Sequence, residues 1–414
     1  MMPNAEKDFD ILISGTGFTG LTLAVALAQT FEDTLKIGLI GPYPAAHIEG
    51  QNSRAFAISA MSLQMLKALG IWINLEANSQ PVYKIEITDS PLEAGVRPVL
   101  LTYDNTLPGG EPASFIIPAQ TLGEALLDRC NDLSAIEFLT YNTCHGFSSN
   151  SRGVSVEFNG PEKLEARILL CAEGRQSTLR QKAGIGTVGC NHEQTGIVTT
   201  ISHEKSHNGT AIQHFLPAGP FAALPLPDGN RCCITWSEST KRARRILEMR
   251  NVDFLKEIDL RLAGKWGAVD LAGPRGGFAL ETRVARHFVK PRFALVGDAA
   301  HGVHPIAGQG LNLALRDIAA LCECLIDGRR VGLDIADPTL LERYERWRRF
   351  DATMSAAGFS GLNALFSEDY PLARSVREFG LGLIDKISNI KSELVREAAG
   401  ANGNIPKLMT GTCP

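Results

Sequence analysis

Two glycine-rich turns nearly three hundred residues apart carry the chemistry that can be read from this chain. The first is Gly15-Thr16-Gly17-Phe18-Thr19-Gly20, set between an apolar strand-like run, Asp10–Ser14, and an apolar helix-like run, Leu21–Gln29. In that context glycines permit a tight turn and let backbone N–H groups approach a pyrophosphate at a helix N-terminus. The second stretch repeats the pattern: Phe293–Val296 reads as a strand, Gly297-Asp298-Ala299-Ala300-His301 follows, and Ala307-Gly308-Gln309-Gly310-Leu311-Asn312 opens another helix. Together they describe a flavin site.

The elements that must position these turns follow from periodicity. A strand near Lys36–Ile40 and a helix over Ser59–Leu69 complete a βαβ start of a parallel sheet. β-like alternation runs from Tyr83 to Leu101, broken by Pro91 and Pro98; a helix over Leu122–Arg129 and strands near Val154–Phe158 and Ile168–Cys171 return to the nucleotide domain. Gly196–Ser237 is β-rich, with Pro217-Ala218-Gly219-Pro220 and Pro227-Asp228-Gly229-Asn230 at hairpin spacing. Helices are expected from Leu311 to about Asp327, over Leu340–Met354 and, amphipathic, over Phe379–Ala399. The expected fold is α/β: a Rossmann-like FAD-binding domain built from segments 1–80, 113–182 and 281–355. A β-rich substrate domain is inserted at 81–112 and 183–280, and residues 356–414 form a C-terminal helical region.

Composition narrows the partners. The 414 residues carry a formal net charge of −4, which disfavours a polyanion-binding surface and so nucleic acid. Nine cysteines without C-x-x-C or metal-ligand spacing read as reduced, mostly buried thiols of a cytoplasmic protein, with Cys322 and Cys324 on different faces of one helix. The uncharged stretch Ile11–Phe31 has the length of a membrane span, but its three glycines and four threonines break it into strand, turn and helix.

The two turns, together with Ser53-Arg54-Ala55 through Trp72, Glu173-Gly174-Arg175-Gln176-Ser177-Thr178-Leu179-Arg180, and the run His304 to Leu313, resemble the single-component FAD-dependent aromatic hydroxylases. Within them the chain is most similar to the ubiquinone-biosynthesis hydroxylases, a likeness extending to the ending Pro406-Lys407-Leu408-Met409. The resemblance implies cofactor contacts from Gly15, Gly17, Phe18, Thr19 and Gly20 at the pyrophosphate, and from Arg54, Gln120, Glu173 and Asp298. Gly308, Gln309, Gly310, Leu311 and Asn312 would place a helix N-terminus beside the flavin pyrimidine edge, where its dipole stabilises the charge that accumulates on reduction. Asp298 would accept from a ribityl hydroxyl; a helix N-cap is the alternative. Arg54 would meet phosphate or ribityl oxygens or else lie on the surface, and Gln120 would contact the cofactor or serve as a cap. His301 and His304 read as packing or hydrogen-bonding groups ahead of acid–base catalysts.

Two positions depart from the family. The acid that binds the adenosine ribose after the second strand is absent, since Leu39-Ile40 run into Gly41-Pro42; another residue or water must serve that ribose, or adenine-side binding is weak. Glu173 stands where the family has Asp in a motif linked to FAD and the nicotinamide cofactor, moving the carboxylate by about 1.5 Å.

The implied reaction is aromatic hydroxylation, in which NAD(P)H reduces FAD and O2 reacts through a flavin C4a-hydroperoxide in a dry, apolar pocket. Its walls are expected near Pro305–Gly308 and Phe215–Leu226. The implied substrate is a polyprenylated phenol, whose tail brings peripheral contact with the inner face of the membrane and a multi-protein quinone-biosynthesis assembly. Rival readings are another flavin oxidoreductase on an apolar substrate and a non-catalytic flavin-fold subunit. A halogenase lacks its W-x-W-x-I-P segment here.

Overall fold

The computed structural model describes residues 8–44, 53–89, 92, 99–140, 144–158, 163–304, 308–367, 395, 396 and 399–414. The chain begins β1 (Phe9–Ser14), α1 (Phe18–Thr30), β2 (Ile37–Ile40), β3 (Ala55–Ser59) and α2 (Ala60–Ala68). It continues β4 (Gln80–Pro81), β5 (Lys84–Thr88), β6 (Leu101–Asp104), β7 (Ser114–Pro118), α3 (Ala119–Asn131), β8 (Ile136–Leu139), β9 (Cys144–Ser149), β10 (Val154–Phe158), β11 (Lys163–Cys171) and α4 (Thr178–Lys182). Next come β12 (Thr187–His203), β13 (Thr210–His214), β14 (Phe221–Pro225), β15 (Arg231–Ser239), α5 (Thr240–Glu248), α6 (Asn251–Leu262), β16 (Val269–Leu271) and β17 (Gly276–Ala285). The last elements are β18 (Val289–Lys290), β19 (Phe293–Leu295), β20 (His301–Gly302), α7 (Gly310–Arg330) and α8 (Pro338–Ser367).

Two large sheets divide the work. In the first, β8, β2, β1, β11 and β19 lie in that order and are mutually parallel, with β18, β10 and β9 added antiparallel. β2 is buried at every residue, as a parallel strand covered on both faces must be, which is why its sequence is a continuous apolar run. α1 lies against α3 and α7 and buries residues all round, so it shows little amphipathic patterning.

The second sheet runs β20-β17-β12-β15-β14-β13-β5-β6, with β16 beside β12, and is antiparallel except where β13 meets β5. The two Pro/Gly turns join β13 to β14 and β14 to β15. Its outer face carries α5 and α6, which pack Ile246, Phe254 and Ile258 around Trp236. Its inner face looks back toward a small third sheet, β3-β7-β4, and toward the first sheet. The chain therefore crosses between the large sheets repeatedly, and the ends of β1 and β11 and the start of α7 meet at the boundary.

Several expectations shift. α5, rich in arginine and lysine, and the mixed-charge α6 were not marked by the β-rich reading of that region. The second glycine stretch is not one strand–turn–helix. A 3-10 turn at Gly297–Ala299 and the short β20 intervene, because β20 pairs with β17 and must leave the first sheet before α7 starts. Cys322 and Cys324 are both free and buried, as expected of the thiols, because α7 is covered on several sides. Of the amphipathic stretch Phe379–Ala399, residues 379–394, 397 and 398 lie outside the described residues, as do Pro305, Ile306 and Ala307. No described helix is long and apolar enough to cross a membrane.

Candidate active site

A single cavity of about 1080 Å³ runs from the first glycine turn to the inner face of the second sheet. At one end the three glycines have separable tasks. Gly15, at φ +116°, has a conformation that side chains rarely adopt, and a Cβ on it would strike the Ala172 carbonyl. A Cβ on Gly20 would strike the Gly15 carbonyl, so this glycine lets α1 close on β1. At Gly17 a Cβ would meet no atom within 4 Å: the position faces open space above the α1 N-terminus. No side chain caps that terminus, so the leading N–H groups at Phe18, Thr19 and Gly20 are turned to the cavity that Phe18 and Thr19 line. α7 also begins uncapped, and Gly308, Gln309, Gly310, Leu311 and Asn312 line the same cavity. Two helix N-termini thus converge on one space, a field suited to an anionic dinucleotide.

Asn312 holds the second terminus in place. Its Oδ1 accepts from the Ser59 N–H at 3.0 Å and its Nδ2 donates to the Ala57 carbonyl at 2.8 Å, so one side chain continues the β3 ladder onto α7. Charged side chains line the cavity as well. Arg54 exposes its area into the cavity it lines, with its guanidinium 5.7 Å from the Phe56 ring and 5.8 Å from that of Phe278. Burial lowers its pKa, as does Arg175, against the opposing pull of Cys233 and Asp298. Asp298 is not an N-cap; its Oδ2 accepts from Arg175 Nε at 3.0 Å, and Arg175 Nη2 reaches the Val303 carbonyl at 3.2 Å. Arg316 also lines the cavity and donates to the carbonyl of Asn402.

Glu173 lines the cavity too, yet its carboxylate is engaged by the protein. Ser14 and Ser177 hydroxyls donate to its two oxygens at 2.7 Å each, and the Leu179 N–H donates to Oε2 at 3.0 Å. The longer side chain spans from the end of β1 to the first turn of α4, a reach that accounts for Glu at this position. Where the adenosine-binding acid is missing, Gly41 sits on Thr16, whose hydroxyl donates to the Pro42 carbonyl at 2.7 Å. Among the described residues this end of the cavity is lined by Gly41, Pro42 and Pro44 without an acid.

Gln120 does not line the cavity; its amide donates to Glu124 one turn along α3. Neither histidine lines it. His301 Nε2 meets Asp317 Oδ2 at 2.6 Å in the core, where Asp317 also accepts from Arg348 Nε at 2.8 Å and the Gly297 N–H at 3.0 Å. His304 is fully buried against Gln194, and burial, with His192 and Arg175 nearby, pushes its pKa down to about 3. Two groups of lining residues lay beyond sequence reasoning. Gly400, Asn402 and Met409 bring the C-terminal segment to the wall, and Arg175, inside a quoted motif, was given no role. The extended expectation for the substrate wall, Phe215–Leu226, coincides with lining residues Phe215, Pro220, Ala222 and Leu224.

A family profile described as an FAD binding domain matches residues 8–356. The chain belongs to this FAD-binding family. It is similar to the ubiquinone hydroxylase UbiL of Rhodospirillum rubrum, 37% identical over 99% of this chain and 94% of that protein. It is similar also to the 3-demethoxyubiquinol 3-hydroxylase of Escherichia coli, 30% identical over 94% of this chain and 98% of that one. The p-nitrophenol 4-monooxygenase PnpA of Pseudomonas putida shares the fold, with a TM-score of 0.75, 18% identity and coverage of 95% and 98%. The chain is an FAD-dependent aromatic monooxygenase of this family. The cavity fits that cofactor: Gly17 faces free volume where a pyrophosphate needs it, and two uncapped helix ends supply unpaired N–H groups.

Proposed function

We propose that this FAD-dependent monooxygenase hydroxylates the ring of a polyprenylated phenol in ubiquinone biosynthesis, taking electrons from NAD(P)H and one oxygen atom from O2. The observation that carries the reading is the continuity of the cavity, cofactor turn at one end and apolar sheet face at the other. That joins a cofactor seat to a substrate pocket without an intervening wall. The relatives named for ubiquinone hydroxylation match over nearly their full length, which supports the same class of ring for this chain.

In this reading Gly15, Gly17, Phe18, Thr19 and Gly20 hold the FAD pyrophosphate, Arg54 and Asp298 its ribityl region, and Gly308 to Asn312 the ring edge. Glu173 shapes the α4 turn beside it, and Gln120 has a weaker claim from the rim of α3. Bound FAD supplies the redox chemistry and the site of oxygen activation. The protein's part is to bind, orient and exclude water, and apolar side chains such as Ile85, Ile87, Leu101 and Leu224 line the substrate end for that purpose. Among the described residues no histidine lines the cavity. The segments 1–80, 113–182 and 281–355 make the FAD domain, 81–112 and 183–280 the substrate domain, and 356–414 a C-terminal helical region. A prenylated substrate places the enzyme in the cytoplasm, at the inner face of the membrane, within an assembly of quinone-forming enzymes.

Lipid-quinone profiling of a deletion strain tests this. The strain should accumulate a prenylated precursor lacking one ring oxygen, and a folded, FAD-free Gly17→Val variant should fail to restore quinone. Full restoration by that variant would instead favour a non-catalytic subunit.

A further inference from the structure

The inner face of the second sheet is ordered in rows, because strand register fixes which side chains stand side by side. One row crosses six strands as Leu101, Ile87, Gln213, Ala222, Thr235 and Val198 in turn. All six line the cavity. Gln213 stands between Ile87 and Ala222, and the small Ala222 leaves room beside its amide. The row next to it, through Ile85, Ala211, Leu224 and Cys233, also lines the cavity but is purely apolar and packs with Ala55 and Ala57, so Gln213 brings the amide to this floor.

The Gln213 side chain has no hydrogen-bond partner among the described residues, although its backbone is paired on both sides. A primary amide carries a carbonyl acceptor and two N–H donors, and leaving them unmade on an apolar floor is unfavourable once water is displaced. Water solvates the amide only while the cavity is open. A ligand that fills this volume with a hydrocarbon tail must bring its own oxygen to that point.

We propose that Gln213 recognises the oxygenated edge of the substrate ring, accepting from a phenolic O–H through Oε1 and donating from Nε2 to a neighbouring ring oxygen. The inference rests on the hydroxylase reading above and deepens it. A neutral amide selects a neutral phenol and takes no proton from it, so the residue positions the ring and performs no acid–base step. No cation stands in this row, so a ring carboxylate would find only the neutral groups of Gln213 and Thr235 there, and the row favours a phenol free of carboxylate over a hydroxybenzoate.

The test uses the FAD-loaded full chain, Gln213→Leu, and the shape-conserving Gln213→Met, with 2-geranylphenol and geranylbenzene as probes. Binding is read from flavin fluorescence and turnover from hydroxylated product. Both variants should keep wild-type FAD occupancy. Affinity for 2-geranylphenol should fall about tenfold, as expected for one lost hydrogen-bonding group, while affinity for geranylbenzene stays within about twofold. More NAD(P)H should be oxidised per product formed. Equal loss for both probes, or no loss for either, with wild-type turnover intact overturns the role of Gln213 alone. A loaded wild-type enzyme that neither binds nor hydroxylates 2-geranylphenol overturns the hydroxylase reading and this inference with it.

Discussion

Arg175 donates from Nε to Asp298 at 3.0 Å, tying the loop after β11 to the loop after β19 across 123 residues of sequence. Gly302 leaves room for the arginine: a Cβ there would lie 3.3 Å from its stem and press it slightly aside. The pair is about one-third exposed, so its Coulomb contribution to stability is small. Its importance is directional. One Asp298 oxygen is fixed by the guanidinium, which holds the carboxylate at the cavity wall.

Asp298→Ala should therefore impair cofactor retention more than folding. A hydrogen bond involving a charged group is worth roughly 1.5–3 kcal/mol, so FAD affinity should drop by about one to two decades in equilibrium dialysis. Arg175→Gln should show a smaller loss in the same direction, because the carboxylate remains but loses its orientation. Wild-type affinity in both variants would leave the pair a surface contact.

Replacing Gly17 and Gly20 one at a time should separate binding from folding. Gly17→Val adds atoms to open space and should keep the apo-protein melting temperature while abolishing FAD occupancy. Gly20→Ala drives a methyl into the Gly15 carbonyl and should lower apo-protein stability by several kcal/mol or prevent folding. Thermal melts of flavin-stripped protein beside absorbance of the bound flavin distinguish the two.

How much of this was legible beforehand follows from what each residue's job depends on. Gly15 and Gly20 are dictated by local backbone geometry, so their spacing announces the turn without knowledge of the rest of the chain. Hairpins at Pro217–Pro220 and Pro227–Asn230 were similarly local. Glu173 was visible as an oddity, but its three donors come from Ser14, Ser177 and Leu179, and only the β1–β11 pairing brings Ser14 there. Gly400, Asn402 and Met409 reach the cavity through packing of the C-terminal segment on α2 and α7, a contact no periodicity encodes. Gln213 sits in a strand whose alternation could be read, whereas the face turned to the cavity depends on partners from β5 and β14.

Glu173→Asp tests the span between β1 and α4. The family's shorter acid cannot serve Ser14 and Leu179 together from this backbone position, so at least one bond is lost. Stability should fall by about 1–3 kcal/mol in chemical denaturation. Unchanged stability would show that the loop moves in to compensate.

The buried ion network should dominate the acid limb of the stability curve. Asp317 is held below the ordinary carboxylate range: burial alone would raise it, but His301 and Arg348 outweigh that. A lowered folded pKa means that this contribution is intact above about pH 3.9, the unfolded value, and disappears as pH falls through the folded one. Arg348→Met strands the charge of Asp317 and should cost about 3–5 kcal/mol. The double variant Asp317→Leu/Arg348→Met should recover much of that loss and show a shallower stability decline below pH 4.

His304 should make a second, higher-pH component. The Gln194 amide fixes its tautomer: Gln194 Nε2 donates to the Ala218 carbonyl, so Oε1 is the acceptor and His304 Nε2 carries the proton. The ring is thus neutral, in keeping with a folded pKa near 3 caused first by burial. In the unfolded chain the same ring takes a proton near pH 6.5, so the unfolded state binds more protons between these values. Stability conferred by the neutral ring is whole above about pH 6.5 and declines by about 1.4 kcal/mol for each pH unit below it. His304→Asn can keep an N–H toward Gln194 and does not titrate. Its stability difference from wild type should be constant above pH 7 and should shift steadily in favour of the variant from pH 6 to pH 4. Histidines elsewhere cancel in that comparison, so parallel curves through the whole range would mean that the folded protein accepts a proton on His304 as readily as the unfolded chain does.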